Sequence, residues 1–207
     1  GYNQAGFISS NGTRNWSNAS WSPGAQIFRF GDNGTDGSAT DDWNSIDIVG
    51  HEFTHAVTSN EANLTYAGES GALNESFSDI FGEMVEQFTD GSMDWLVGAD
   101  RGYIRNMRNP NDRNDPDTYL GTNWVTVTPP CDGANDQCGV HTNSGVQNFW
   151  FFLLSDGGSG TNDNGDYFNV LGIGATNAAN IAYRIINIYL NSGCGYADAN
   201  WGSIQAA

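Results

Sequence analysis

Apolar side chains recur at the 3.6-residue spacing of an α-helix in four stretches of the chain. The first stretch is 43–59, and after a loop through 68–71 the second continues over 73–88. Two further helices are predicted over 144–154 and 176–190. The pattern therefore predicts that the chain is mainly helical from Trp43 onwards.

The segment before the first helix has a different pattern. Residues 1–42 are rich in Gly, Asn, Ser, Thr and Trp, and the alternating stretch 26–30 lies between two turn signals. Strands and loops are expected here. Asp41 and Asp42 precede the first helix and are candidates for its N-terminal cap.

Composition narrows the class of protein. A hydrophobic content of 38% and an aromatic content of 13% argue against disorder, and no apolar run approaches the roughly 18 residues of a membrane helix. The formal net charge of −17 repels phosphate backbones and anionic lipid, so we expect neither nucleic acid nor a membrane as partner. No signal peptide opens the chain at Gly1, which leaves a cytosolic protein and a processed secreted protein both open.

The cysteines lack the paired C-x-x-C spacing of a structural zinc site. Cys131 and Cys138 enclose a short polar loop, so a local disulfide is a reasonable prediction and indicates an oxidising compartment. Cys194 is then left over. It is a reactive thiol, it forms an intermolecular bond, or its partner lies in a part of the protein absent from this chain.

The segment Gly50-His51-Glu52-Phe53-Thr54-His55 carries the clearest chemical signal. Two imidazoles four residues apart on a helix can bind one zinc ion from one side. A zinc-activated water needs a general base as it attacks, and Glu52 between the histidines is the candidate. The alternative is a chance match on an amphipathic helix, since short motifs produce false positives.

Two further observations count against chance. Catalytic zinc sites use three protein ligands, and Glu75 follows His55 by 20 residues on the second predicted helix. Asp79, one helix turn later, is placed to accept a hydrogen bond from a liganding histidine. The third and last histidine of the chain, His141, stands just before a predicted helix.

Three segments together resemble successive signatures of one family. They are His51-Glu52-Phe53-Thr54-His55, Gly71-Ala72-Leu73-Asn74-Glu75-Ser76-Phe77-Ser78-Asp79 and His141-Thr142-Asn143-Ser144-Gly145. The chain resembles the thermolysin family of zinc metalloendopeptidases from about Asn18 to its C-terminus, and it is most similar to the pseudolysin and vibriolysin-like branch.

This resemblance implies an α+β fold and a secreted, monomeric endopeptidase. A strand-rich segment, 1–45, would form one wall of the cleft, and 46–207 would be the helical zinc-binding lobe. The enzyme would cleave internal peptide bonds of peptides or proteins before bulky hydrophobic residues.

The resemblance also implies roles for individual residues. His141 and Tyr66 would stabilise the oxyanion, with Asp136 orienting His141. Asn74 would support His55 as an outer partner that does not itself bind the metal. The substrate would be held by Asn18, the Ala19 carbonyl and Arg105, and its side chain would enter a pocket lined by Ile48, Val97 and Ile104.

A cluster of acidic residues gains a function from the same resemblance. The calcium ligands would be Asp47, Glu83, Glu86, Asp94 and the carbonyl of Leu96. Calcium prefers such oxygen donors. One ion is predicted, because Ala99 stands where the double-calcium version of the family has another acidic residue. The alternative is a set of solvated surface carboxylates on a very acidic chain.

The resemblance departs from the family at both ends of the chain. A larger strand-rich N-terminal lobe and a final helix are expected to lie outside Gly1–Ala207, and Cys194 would lack the partner that the branch has near its C-terminus. We therefore expect a fragment or a natural minimal form. Two rival functions follow: a metal-binding module without turnover, and an aminopeptidase, although no acidic motif that would capture a free amino terminus is found.

Overall fold

The computed structural model describes residues 16–31 and 42–207. The first 15 residues, the segment 32–41 and therefore Asp41 as a candidate cap lie outside the described residues. The rest contains many helical residues and a few short strands, so the predicted α+β class with a mainly helical C-terminal part is confirmed.

The strands of the described residues form three two-stranded antiparallel sheets. The pairs are β1 (Ala19–Ser22) with β2 (Ile27–Phe30), β3 (Leu96–Val97) with β4 (Arg105–Asn106), and β5 (Gly157–Thr161) with β6 (Tyr167–Leu171). The first pair aligns Ala19 with Phe30 and confirms the predicted alternating stretch as a strand.

Helices supply most of the remaining structure. They are α1 (Ile46–Asn60), α2 (Gly68–Asp90), α3 (Asp136–Asn143), α4 (Gly145–Asp156), α5 (Ala175–Arg184) and α6 (Tyr196–Ala206). A π-helical turn, Ile185–Tyr189, continues α5. None of the helices in the described part of the chain combines the length and the apolar character that crossing a bilayer requires.

The start of α2 differs from the prediction. Its first residue is Gly68, so the expected loop through 68–71 is wrong. Gly71 is a packing residue in the helix, because a Cβ there would lie 2.4 Å from the Cγ1 of Val140. The cap prediction for α1 is also wrong, since the N-cap is Ser45 rather than Asp42.

The helix α6 was not predicted. Ala199 and Gly202 are its buried residues, so small side chains replace the large apolar stripe that a sequence pattern detects. The expectation that the family's final helix lies beyond the chain stays a prediction.

The two longest helices, α1 and α2, pack closely and form the base of the site. At their contact, a Cβ on Gly82 would lie 2.5 Å from the carbonyl oxygen of Asp47, so only glycine permits this approach. Leu73, Phe77 and Ile80 of α2 are fully buried and join Phe151 of α4 in the hydrophobic core. The polar face of α2 between these positions lies beneath α1.

Candidate active site

Three potential metal ligands meet where α1 crosses α2. The Nε2 atoms of His51 and His55 are 3.0 Å apart, and the carboxylate oxygens of Glu75 lie 3.5 Å and 3.3 Å from them, respectively. Glu75 is fully buried and both histidines are almost so. The predicted ligand set is therefore one compact cluster.

This cluster fits a tetrahedral ion. Ligands bound at zinc distances of about 2.0–2.1 Å in a tetrahedron are roughly 3.3–3.4 Å from one another. The two Nε2 atoms are 3.0 Å apart, and each lies within 3.5 Å of one Glu75 oxygen, Oε2 for His51 and Oε1 for His55, so the three side chains are close enough to share such an ion. Glu75 Oε2 is buried without a hydrogen-bond partner among the described residues. A bound cation would remove the cost of burying that oxygen.

Each histidine is oriented by a partner on α2. Asp79 Oδ1 lies 2.8 Å from His51 Nδ1, and Asn74 Oδ1 lies 2.8 Å from His55 Nδ1. Both partners offer an acceptor, so each Nδ1 carries the proton and each Nε2 presents its lone pair to the cluster. The supporting positions predicted for Asn74 and Asp79 agree with these contacts.

Glu52 lies beside the cluster on α1. Its side chain is 5% exposed, and Oε2 has no hydrogen-bond partner within the described residues. Burial raises the pKa of Glu52, although His51 and His55 counteract part of that rise. A carboxylate whose pKa is raised and whose oxygen is free has the properties of a general base.

A third histidine and a tyrosine face the cluster from the opposite side. Tyr66 donates its hydroxyl hydrogen to Glu75 and is 3.3 Å from His141 Nε2. Asp136 Oδ1 lies 2.5 Å from His141 Nδ1. The pKa of His141 is raised, chiefly by the Glu75 carboxylate and also by Asp136, while burial opposes the rise. Two donors therefore converge on the space next to Glu75.

A cavity of about 720 Å³ opens over these groups. The predicted substrate residues that line it are Asn18, Ala19, Ile48, Ile104 and Arg105. Residues of β1 thus line one side of the cavity, and the division into a wall segment 1–45 and a lobe 46–207 stays a prediction. Val97 is not among the lining residues that the structure describes. It is 1% exposed and is packed in the hydrophobic core, so any effect of Val97 on the pocket is indirect.

Comparisons with known proteins agree with this geometry. Residues 62–207 match the model of the thermolysin metallopeptidase alpha-helical domain, and residues 3–59 match that of the thermolysin metallopeptidase catalytic domain. The chain belongs to the thermolysin family of metallopeptidases.

Individual relatives show the same relationship. The chain is 37% identical to bacillolysin from Bacillus cereus over 200 residues, which covers 93% of this chain and 32% of the relative. It is 43% identical to a zinc metalloproteinase from Renibacterium salmoninarum over 72% of this chain and 30% of the relative. The structure of the protealysin precursor from Serratia proteamaculans matches with a TM-score of 0.63 and 27% identity, over 92% of this chain and 59% of that one.

The chain spans about a third of the length of these curated relatives. The family models and relatives establish the family of the chain. Its membership of the pseudolysin and vibriolysin-like branch stays a prediction.

Another group of acidic side chains in this thermolysin-family chain lies further along α2. Carboxylate oxygens of Glu83, Glu86 and Asp94 lie within 4.8 Å of one another. Glu83 Oε1 and Glu86 Oε2 are buried without hydrogen-bond partners among the described residues. Burial and then mutual repulsion raise the pKa of Glu83 to about 9 and that of Glu86 to about 7. The three carboxylates are close enough together to hold a cation.

The other two predicted calcium ligands have different contacts. The carboxylate of Asp47 accepts hydrogen bonds from the backbone N–H groups of Ile48 and Gly98. Leu96 donates its N–H to Asp94 at 2.8 Å. Calcium binding by Asp47 and by the Leu96 carbonyl stays a prediction.

Two buried residues that support this thermolysin-like site, Asn148 and Ser76, carry no signal that predicts them from the sequence. Asn148 of α4 donates to Asp79 Oδ2 at 2.8 Å, and Ser76 donates to Asn148 Oδ1 at 2.7 Å. Arg105 donates twice to the same Asp79 carboxylate, at 2.7 and 2.6 Å. With His51, Asp79 therefore has four donors, which fill the lone-pair positions of a carboxylate. Burial alone would raise the pKa of Asp79, but Arg105 and His51 lower it to about 2.

Replacing Asn148 is expected to weaken metal binding. Asn148→Leu keeps the side-chain volume but removes the donor that fixes the Asp79 carboxylate behind His51. We expect an approximately 10-fold weaker zinc affinity in a competitive titration, at the lower end of what outer partners of metal ligands contribute. Ser155→Ala is the matched control, since Ser155 is also buried on α4. An unchanged affinity in Asn148→Leu would contradict this role.

Proposed function

We propose that the chain is a zinc-dependent endopeptidase that hydrolyses internal peptide bonds before bulky hydrophobic residues. The proposal rests on one observation: the clustered side chains of His51, His55 and Glu75 share a cavity with the buried carboxylate of Glu52. A structural metal site does not need a free carboxylate beside its ligands. A hydrolytic site needs one to accept a proton from water.

His51, His55 and Glu75 would hold the zinc, which when bound acidifies water and polarises the scissile carbonyl. Glu52 accepts the proton of the attacking water and passes it to the nitrogen of the leaving amine. Because Glu52 is buried, its raised pKa brings it closer to the working pH and favours both transfers.

The remaining residues stabilise charge and hold the substrate. His141 and Tyr66 donate hydrogen bonds to the oxygen that becomes negative in the tetrahedral intermediate. Arg105 holds a substrate carbonyl, while Asn18 and the Ala19 carbonyl bind the peptide backbone. Ile48 and Ile104 contact the apolar side chain that follows the cleaved bond. All these groups lie on the same cavity, which supports the assignment.

A calcium ion bound by Asp47, Glu83, Glu86, Asp94 and the Leu96 carbonyl completes the proposal. The unpartnered buried oxygens of Glu83 and Glu86 support it, because oxygen donors of this type suit calcium. The disulfide between Cys131 and Cys138 supports secretion into an oxidising compartment.

Removal of zinc is expected to abolish cleavage reversibly. The substrate is a peptide blocked at both ends with Leu or Phe after the scissile bond, assayed with a zinc chelator and again after zinc is restored. Cleavage that stops and returns supports the endopeptidase, and an aminopeptidase would not act on the blocked ends. If one zinc binds per chain and no cleavage occurs, the endopeptidase proposal fails for this chain and the metal-binding module is left.

A further inference from the structure

The first half of α3 leads into His141 and is a left-handed turn rather than regular α-helix. Asp136, Gln137, Cys138 and Gly139 have φ angles of 54°, 51°, 70° and 78°, which places four successive residues in the left-handed region. Only glycine adopts this region without steric cost, because the Cβ of other residues approaches the backbone. Three of the four residues are not glycine, so other contacts must hold the turn.

Covalent and hydrogen bonds close this turn on itself. Cys131 and Cys138 form a disulfide with their Cα atoms 4.9 Å apart. The Oδ1 atom of Asn135 accepts the N–H groups of Asp132 and Cys138, each at 3.0 Å. Cys138 is 2% exposed. The cross-link is therefore anchored at the third of the four left-handed residues.

The left-handed turn determines how Asp136 meets His141. Its carboxylate accepts from the backbone N–H of His141 at 2.9 Å, and its other oxygen lies 2.5 Å from the ring Nδ1. Both contacts span five residues, so they depend on the path of the backbone between Asp136 and His141. If the turn relaxed to right-handed or extended angles, the carboxylate would leave the imidazole.

We propose that the Cys131–Cys138 disulfide is a positioning element that holds Asp136 against His141 and thereby aims the imidazole at the reacting carbonyl. The inference rests on the proposed endopeptidase function and adds to it. The disulfide acts through Asp136 and touches neither the substrate nor the metal ligands. Asp136 and His141 are about half exposed at their side chains, so surrounding packing alone does not fix them.

This role predicts that loss of the disulfide lowers kcat and leaves KM nearly unchanged. An interaction that matters in the transition state lowers kcat and kcat/KM together. Removing an oxyanion donor lowers kcat by roughly 10²–10³-fold, and a displaced donor should cost less, about 10- to 50-fold. A cross-link that only stabilised the fold would lower the melting temperature and leave kcat of the folded enzyme unchanged.

The test compares the zinc-loaded chain with Cys131→Ser/Cys138→Ser. We expect the fall in kcat stated above, KM within about 2-fold and unchanged zinc affinity. We also expect loss of the downfield proton NMR signal of the His141 Nδ1–H, which is hydrogen-bonded to Asp136. Cys194→Ser is the control, because Cys194 is buried and outside the loop; it should retain kcat and the signal.

A second variant separates positioning from stability. Cys131→Ser/Cys138→Gly also lacks the disulfide, but glycine adopts the left-handed angles without strain, so kcat should recover to within about 3-fold of the parent. Parental kcat and the parental proton signal in the double-serine variant would overturn the proposal. So would a glycine variant as impaired as the double-serine variant.

The NMR signal keeps this inference distinct from the proposed function. If the zinc-loaded parent cleaves no blocked peptide, the endopeptidase proposal fails, and the signal still reports whether the disulfide holds Asp136 against His141. A proton signal that is the same with and without the cross-link would contradict the positioning role of the disulfide, even if the parent is an active protease.

Discussion

Glu52→Gln is expected to bind zinc with the affinity of the parent chain and to lose roughly 10²- to 10⁴-fold of its kcat/KM, the range that general bases contribute. Glutamine preserves the size of the side chain and cannot accept the proton from water. Glu52 is not a ligand in the His51, His55 and Glu75 cluster, so the metal site stays intact. Zinc content and blocked-peptide kinetics measured on one preparation would check both parts.

The matched control for this variant is Glu61→Gln. Glu61 is an exposed glutamate directly after α1, so it tests whether removing one carboxylate near this helix matters in itself. We expect parental kinetics. Parental activity in Glu52→Gln would show that another group accepts the proton, and loss of zinc in that variant would show that Glu52 contributes to binding.

The metal site was predictable because its signals are local in sequence. His51 and His55 are one helical turn apart, and Glu75 and Asp79 repeat that spacing on α2. The apolar stripes also indicated that both segments are helices. Only the crossing of α1 and α2, which brings the two pairs together, requires the fold.

Residues that act through distant contacts were not predictable in this way. Asn148 reaches Asp79 across 69 positions of sequence, and its type and neighbours resemble an ordinary polar helix face. The disulfide was predicted from the spacing of Cys131 and Cys138. The left-handed backbone that it closes has no sequence signal, since Gln137 and Cys138 do not favour such angles.

The helix α2 connects the two proposed metal sites. Glu75, Asp79 and Glu83 are spaced by four residues, so they follow one face of the helix from the zinc cluster to the acidic cluster. Asp47 at the start of α1 lies against Gly82 of α2. We therefore expect that the charge of the acidic cluster affects the stability of the α1–α2 pair, which carries the zinc ligands.

Calcium is expected to stabilise the zinc-loaded chain strongly at alkaline pH. At a calcium concentration of about 100 times its Kd, a ligand that binds only the folded state adds about 2.7 kcal/mol. For a chain of this size, that corresponds to a melting temperature about 5–10 °C higher. Calorimetry of protein dialysed free of calcium in zinc-containing buffer, with and without added calcium, would measure the effect.

The direction of the pH dependence without calcium follows from the carboxylates. The pKa of Glu83 is raised from 4.5 to about 9 and that of Glu86 from 4.5 to about 7. Between pH 4.5 and about 9 the folded chain binds more protons than the unfolded chain, so the stability of the folded chain falls as the pH rises. We therefore expect a lower melting temperature at about pH 8.5 than at about pH 6, and a larger calcium response at the higher pH, because calcium binds the ionised carboxylates.

Glu83→Gln isolates this cluster from other titrating groups. Glutamine resembles the neutral carboxyl, so the variant should be more stable than the parent at about pH 8.5 without calcium and should lose most of the calcium response. Glu61→Gln should retain both the pH dependence and the response, since Glu61 is exposed. If Glu83→Gln responded to calcium as the parent does, calcium would be bound elsewhere. If the calcium-free parent were equally stable at both pH values, ionisation of the buried carboxylates would not destabilise the folded chain, and calcium would not act by neutralising them.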